Sequence, residues 1–314
     1  MLTLLAALAL AQTETAPAPE PAPPVVESRP VDRRTRAEVE IRYRIEPTGE
    51  VRSASLTTLL PATIEGVQTV ESIELEPALC HRFEANGNSY ARFVITKPTQ
   101  TVVIKLRIRL TLAGNDLATQ RARAPQAPAL SSEERAQYSK PETFLESDSE
   151  SIQLLAKRVT GSDELARTRA ALDLALGELR AGPFSGADLG ALAALKAHRG
   201  DCTDFADLST AILRAAGIPT RRASGYLLEY TTTPKHDWLE VHCEGLGWVP
   251  FDPARMESGE VEFDRLQPIY VRSSIVRNDE TLSGFHYFAA RHDGGKIAVK
   301  EEFEVISRDP GAVK

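Results

Sequence analysis

Hydrophobic side chains fall at every second position over two stretches in the first third of the chain. Val39, Ile41, Tyr43 and Ile45 alternate with Glu38, Glu40, Arg42 and Arg44. Ile104, Leu106, Ile108 and Leu110 alternate with Lys105, Arg107 and Arg109. A period of two belongs to strands with one buried face. Asn86-Gly87, lying between these runs, predicts a tight hairpin turn. Residues 35–115 therefore predict a small antiparallel β-sandwich.

The period then lengthens. Ile152, Leu155 and Val159 form one helical face, broken at Gly161. A second helix starts from a cap at Ser162 or Asp163, turns Leu165, Leu172, Leu176 and Leu179 inward, and stops before Gly182-Pro183. A third is predicted near 187–197. Strands follow from about 220 to 252, and residues 270–307 alternate again on either side of Asp293-Gly294-Gly295, as a β-hairpin does.

Two segments lack such periodicity. Residues 12–34 hold six prolines among Ala, Glu and Thr, which makes an extended linker. Residues 116–147 are polar and carry Pro125, Pro128 and Pro141, a second linker with room for short helices. Ahead of the first linker, Leu2–Leu10 is almost wholly apolar, and Ala9-Leu10-Ala11 before Gln12 is a small-residue cleavage pattern. Residues 1–11 thus read as a signal peptide, and the protein as periplasmic or extracellular. The segment is short and has no Lys or Arg before Arg29, so a frayed apolar tail on a cytoplasmic protein is the alternative. No internal stretch is long enough to span a bilayer.

Charge and cysteine content narrow the function. A net charge of -7 argues against a nucleic-acid partner, which needs a basic surface. Three cysteines, Cys80, Cys202 and Cys243, are too few for a disulfide scaffold and leave at least one thiol free. No cofactor motif and no metal-ligand spacing is present; a metal held by Cys202 and His236 lacks a second pair of ligands.

The chemistry concentrates around Cys202. Gly200 permits a sharp entry to a helix, Asp201 caps it, and Gly217-Ile218-Pro219 ends it. Phe205, Leu208, Ile212, Leu213 and Ala216 form its apolar face. Cys202 lies in the first turn, where the helix dipole favours an anion, and a thiolate is the competent nucleophile. A structural cysteine at a helix start explains the position equally well. His236, at the start of a strand, is a base for that thiol. Asp252, in Gly247-Trp248-Val249-Pro250-Phe251-Asp252-Pro253, could hold the imidazole, or simply make an Asp-Pro turn. A hairpin centred on Gly245-Leu246 puts Asp252 opposite Leu239, about 10 Å along the strand from His236. A bulge, twist or longer loop must close that gap.

Together these segments resemble the core of the transglutaminase-like superfamily. The resemblance rests on Gly200-Asp201-Cys202-Thr203-Asp204, Ala206, Leu213–Pro219, Arg221, Gly225-Tyr226, His236-x-Trp238-x-Glu240-Val241 and Gly247-Trp248-x-Pro250-x-Asp252-Pro253. It spans roughly 150–256, and it implies an α+β fold in which a cysteine helix packs on an antiparallel sheet, as in papain, behind a β-sandwich. The implied domains are the sandwich at 35–115, the catalytic domain at 148–268 and a β extension at 269–314. It also implies a thiol enzyme acting on a protein or peptide amide through a Cys202–His236–Asp252 triad, with a silent scaffold as the alternative. Asp201 and Trp238 are candidates for the oxyanion site or cleft wall. Asp237 departs from the family pattern: it is read as an outward surface charge, or as a carboxylate acting on His236.

Overall fold

The computed structural model describes residues 34–123, 127–184, 188–230 and 234–310. The segment read as a signal peptide and almost all of the first linker lie outside them.

The alternating runs form the predicted strands β1 (Arg34–Leu60), β2 (Gln68–Glu76), β3 (His81–Ala85), β4 (Asn88–Thr96) and β5 (Val102–Ala113). Val39, Ile41, Tyr43 and Ile45 are at most 2% exposed. Asn86 and Gly87 both take positive φ, 52° and 77°, and Ala85 pairs with Asn88 across them. The strands do not close on themselves as the self-contained sandwich expected. They form one sheet that is completed by a sixth strand, β10 (Phe288–Pro310), from the far end of the chain. One edge of β1 pairs with β5 and then β4, and its other edge follows β10 for nearly its whole length. The predicted C-terminal hairpin is thus absent. Gly294 and Gly295 face β1 where the register slips, next to Val51. A Cβ at either would press on β1 backbone at 2.6–2.7 Å. The glycines mark a bulge in one long strand, not a turn.

After two short helices, Leu117–Arg123 and Ser132–Gln137, come the helices that build the site's core: α1 (Glu150–Ala156), α2 (Glu164–Glu178, capped by Asp163), α3 (Ala191–Ala197) and α4 (Cys202–Ala215). The second sheet runs β8 (Gly247–Phe251), β7 (Lys235–Cys243), β6 (Thr220–Leu227), β9 (Tyr270–Ser274), all antiparallel. A short helix, α5 (Pro253–Glu257), follows β8. One core joins α1–α4 to Leu239, Val241, Val249 and Phe251 of this sheet. A second core joins the six-stranded sheet to Tyr226, Leu227 and Val271. Cys243 is buried in the first core, and Cys80 packs against the second.

Helix α4 differs from the amphipathic reading: its polar side is buried too, including Asp204, Asp207, Thr210 and Arg214. Asp207 and Arg214 find their partners within the protein, on Arg222 and on Thr220 and Glu142. The sheet face is equally tight. A methyl on Gly225 would lie 1.9 Å from the Val271 carbonyl oxygen. Gly225→Ala is expected to cost about 3 kcal/mol, read as a fall of several degrees in the melting temperature; an unchanged melt would mean β6 and β9 can part without loss. No described helix is long and apolar enough to cross a membrane.

Candidate active site

Gly200 and Asp201 bring the chain sharply into α4. A Cβ on Gly200 would sit 2.4 Å from that of Asp204, so only glycine fits. The Asp201 side chain accepts from Thr203 N at 3.0 Å, and the Asp204 side chain accepts from Asp201 N at 3.0 Å, a reciprocal cap. Cys202 is therefore the first helical residue, and it is half-buried.

His236 is buried at the start of β7, and its Nε2 lies 2.7 Å from Asp252 Oδ2. Cys202 lies near enough to help raise the same ring, and both residues line one cleft; with Nε2 turned to Asp252, Nδ1 is the ring nitrogen left for the sulfur. The structure thus brings together the three residues singled out from sequence. The 10 Å gap closes by a one-residue change of register. Leu239 faces Phe251, and Cys243 faces Gly247, so the loop is three residues with Gly245 and Gly247 at φ of 75° and 76°. One further rung would set Asp252 against Trp238. That is two residues from His236 and on the same face, within reach of a diagonal side-chain pair.

Asp252 is completely buried and fully bonded. Its Oδ2 also accepts from Tyr270 Oη at 2.7 Å, and its Oδ1 accepts from the Arg255 amide at 3.1 Å, capping α5. Burial pushes this carboxyl up, but His236, Tyr270 and the amide outweigh it and hold it below the usual carboxylate range. The Asp-Pro turn and the site residue are thus one feature. Burial likewise pushes the imidazole down, and Asp252, then Cys202, raise it from 6.5 to about 10. Sequence offered no sign of Tyr270. It arrives on β9, and Arg255 Nη1 donates to its hydroxyl at 3.3 Å.

The remaining candidates take other places. Trp238 is buried, stacked behind His236 at 6.3 Å and edge-on to Tyr270 at 5.3 Å; it backs the imidazole and is not among the cleft-lining residues. Asp201 does line the cleft. As a carboxylate it is an acceptor, so it cannot donate to an oxyanion. The Cys202 amide at the helix start remains the donor of choice. Asp237 is neither a surface charge nor a rival of Asp252. It is buried, accepts from Thr203 Oγ1 at 2.6 Å, and lies 3.4 Å from Arg222 Nη2. β7 lies inside the sheet, and the side opposite His236 rests on α4, so alternation turns Asp237 into protein. Glu240 is structural: it is bonded to Arg221 and Arg272, and burial, which raises it, is overcome by both arginines to about 2.

Cys202 and His236 open onto a cleft of about 670 Å³ with aromatic walls from Phe205, Tyr226, Tyr230 and Phe303. Among the described residues no group of three or more His, Cys, Asp or Glu is placed to hold a metal.

Comparison with known proteins bears on the same segment. Residues 153–253 match the model of the transglutaminase-like superfamily core. A stretch of 78 residues is 31% identical to the uncharacterized protein YebA of Bacillus subtilis (strain 168), covering 20% of this chain and only 11% of that protein. Among solved structures, a candidate cysteine protease of Cytophaga hutchinsonii superposes with a TM-score of 0.61 at 19% identity, over 88% of this chain and 92% of that one, and so shares the fold. The periplasmic domain of TgpA from Pseudomonas aeruginosa gives a TM-score of 0.40 at 20% identity, over 70% of this chain and 72% of that one. The segment 153–253, which holds the thiol, the imidazole and the carboxylate, belongs to the transglutaminase-like superfamily.

Proposed function

We propose that this chain is a thiol enzyme that opens a protein or peptide amide through a thioester. The observation that carries it is a single imidazole held at 2.7 Å by a buried carboxylate and opening onto the same cleft as a thiol at a helix start. The sulfur of Cys202 attacks the amide carbon, and the Cys202 amide faces the developing oxyanion. His236 gives its proton to the departing amine as the C–N bond breaks, leaving a thioester on Cys202. Water then attacks the thioester while His236 takes its proton, releasing the acid and restoring the thiol. An amine in place of water completes a transfer instead. The apolar segment Leu2–Leu10 supports an exported enzyme.

A silent member of the superfamily is the second reading, favoured by the lack of an assigned side-chain donor for the oxyanion. Alkylation by iodoacetamide, followed by mass spectrometry across pH, decides between them. Cys202 is expected to react well ahead of Cys80 and Cys243, and His236→Ala to slow it by about tenfold or more. Cys243, whose thiol burial pushes up to about 12, is the internal reference. If Cys202 reacts no faster than Cys80, or ignores the loss of His236, the catalytic reading fails.

A further inference from the structure

One carboxylate on the last strand ties three parts of the fold together beside His236. Residues Lys300–Phe303 of β10 line the same cleft as Cys202. The side chain of Glu301 is only 6% exposed. Its Oε1 accepts from Tyr226 Oη at 2.5 Å and from Tyr43 Oη at 3.3 Å, and its other oxygen meets the Lys235 ammonium. Tyr43 comes from β1, Tyr226 from β6, and Lys235 is the residue before His236 on β7. Both phenols are fully buried; burial, then Glu301, raises them well above their ordinary value, so they stay protonated donors. Lys235 and Tyr226 face each other across the sheet, one rung from His236 and Gly225. The Tyr226 ring lies flat on Phe303 at 4.6 Å, and the ammonium sits over Tyr287 at 4.6 Å.

We propose that Glu301 is a positioning residue for substrate. By fixing Tyr226 and Lys235 it sets the wall along which a peptide lies while its amide carbon meets Cys202. The six-stranded sheet is then part of the substrate site and not a separate module. This rests on reading the cleft as the substrate site. A buried carboxylate with three donors from three elements is hard to replace: without its charge the ammonium loses its counter-ion, and the bonds from both phenols weaken to those of a neutral acceptor.

The test compares two reagents on the same sulfur of the full chain. Iodoacetamide reads the thiol alone; acetyl-Ala-Ala chloromethyl ketone must also lie in the cleft. The ratio of the two rates at Cys202 is defined whether or not His236 activates the thiol, so failure of the catalytic reading shows in the iodoacetamide rate and not in the ratio. Glu301→Gln, which keeps shape and one acceptor, is expected to lower the peptidyl rate by about tenfold or more and to leave the iodoacetamide rate within about twofold. Tyr43→Phe, outside the cleft, is expected to shift the ratio the same way by about threefold. A ratio unchanged in Glu301→Gln, or an equal fall in both rates, overturns the proposal. Should Glu301→Gln fail to fold, an unchanged ratio in Tyr43→Phe overturns it.

Discussion

Asp252→Asn is expected to lower amide turnover by about 10³–10⁴-fold while leaving the cleft able to bind peptide. The neutral amide keeps the size of the side chain but not the charge that stabilises the imidazolium. The sign of the accompanying pH effect is fixed. Burial lowers His236, and the Asp252 charge is the leading influence that lifts it to about 10. On the proposed chemistry the proton that leaves with the amine sits on His236, so wild-type activity falls as pH rises through about 10. In Asp252→Asn burial prevails, and that alkaline limb moves to neutral pH or below. The same proton contributes stability: it is fully present below 6.5 and is lost as pH rises through about 10. A pH–rate profile on both proteins is the check. An alkaline limb that stays in place would mean Asp252 serves only as the cap of α5.

Asp207→Ala is expected to be the most destabilising single change near the site. Asp207 is wholly buried on the polar side of α4. It accepts from Arg222 Nε at 2.7 Å and from Arg277 Nε and Nη2 at 3.0–3.1 Å. Both guanidinium side chains are at most 3% exposed. Removing the carboxylate takes away the acceptor that two buried cations share and leaves Arg222 with Asp237 and Arg277 with Asp188 as counter-charges, at a cost of about 3 kcal/mol and about 10 °C in melting temperature. The effect should reach the nucleophile as well. Arg222 also lies 3.4 Å from Asp237, which holds Thr203, the residue after Cys202. A melting temperature lowered by less than about 3 °C would show that the arginines find other acceptors.

What could be read in advance, and what could not, follows from where information sits in a chain. Cys202, His236 and Asp252 each stand at the end of an element whose stop or start is written locally, in Gly200-Asp201, in the strand after Lys235 and in Asp252-Pro253. Their spacing resembles a known core, and the structure brings them together. Tyr270, Arg222 and Glu301 have no such local mark. Each acts across a sheet, on a partner set by strand order, which periodicity does not encode. The misreading of Asp237 has the same origin. Alternation told correctly that it points away from His236, but only the tertiary packing says whether that side meets water or α4. The turn at Gly245 shows how fine the margin is: one residue more in the loop would have put Asp252 on the wrong face of the sheet. Gly294-Gly295 predicts a turn because a bulge and a hairpin share the same residues.

The pairing of β1 with β10 also sets an order of events. Tyr43 and Glu301 are 258 positions apart, yet they meet on adjacent strands. A chain made from its N-terminus therefore exposes β1 with one edge bare throughout synthesis of the thiol-bearing segment. The thiol, its base and its carboxylate can all be in place while the wall at Lys300–Phe303 has yet to be made. Such long-range pairing is slow to form, and on the proposed chemistry it keeps a nascent chain from acting as an enzyme until its last strand has docked.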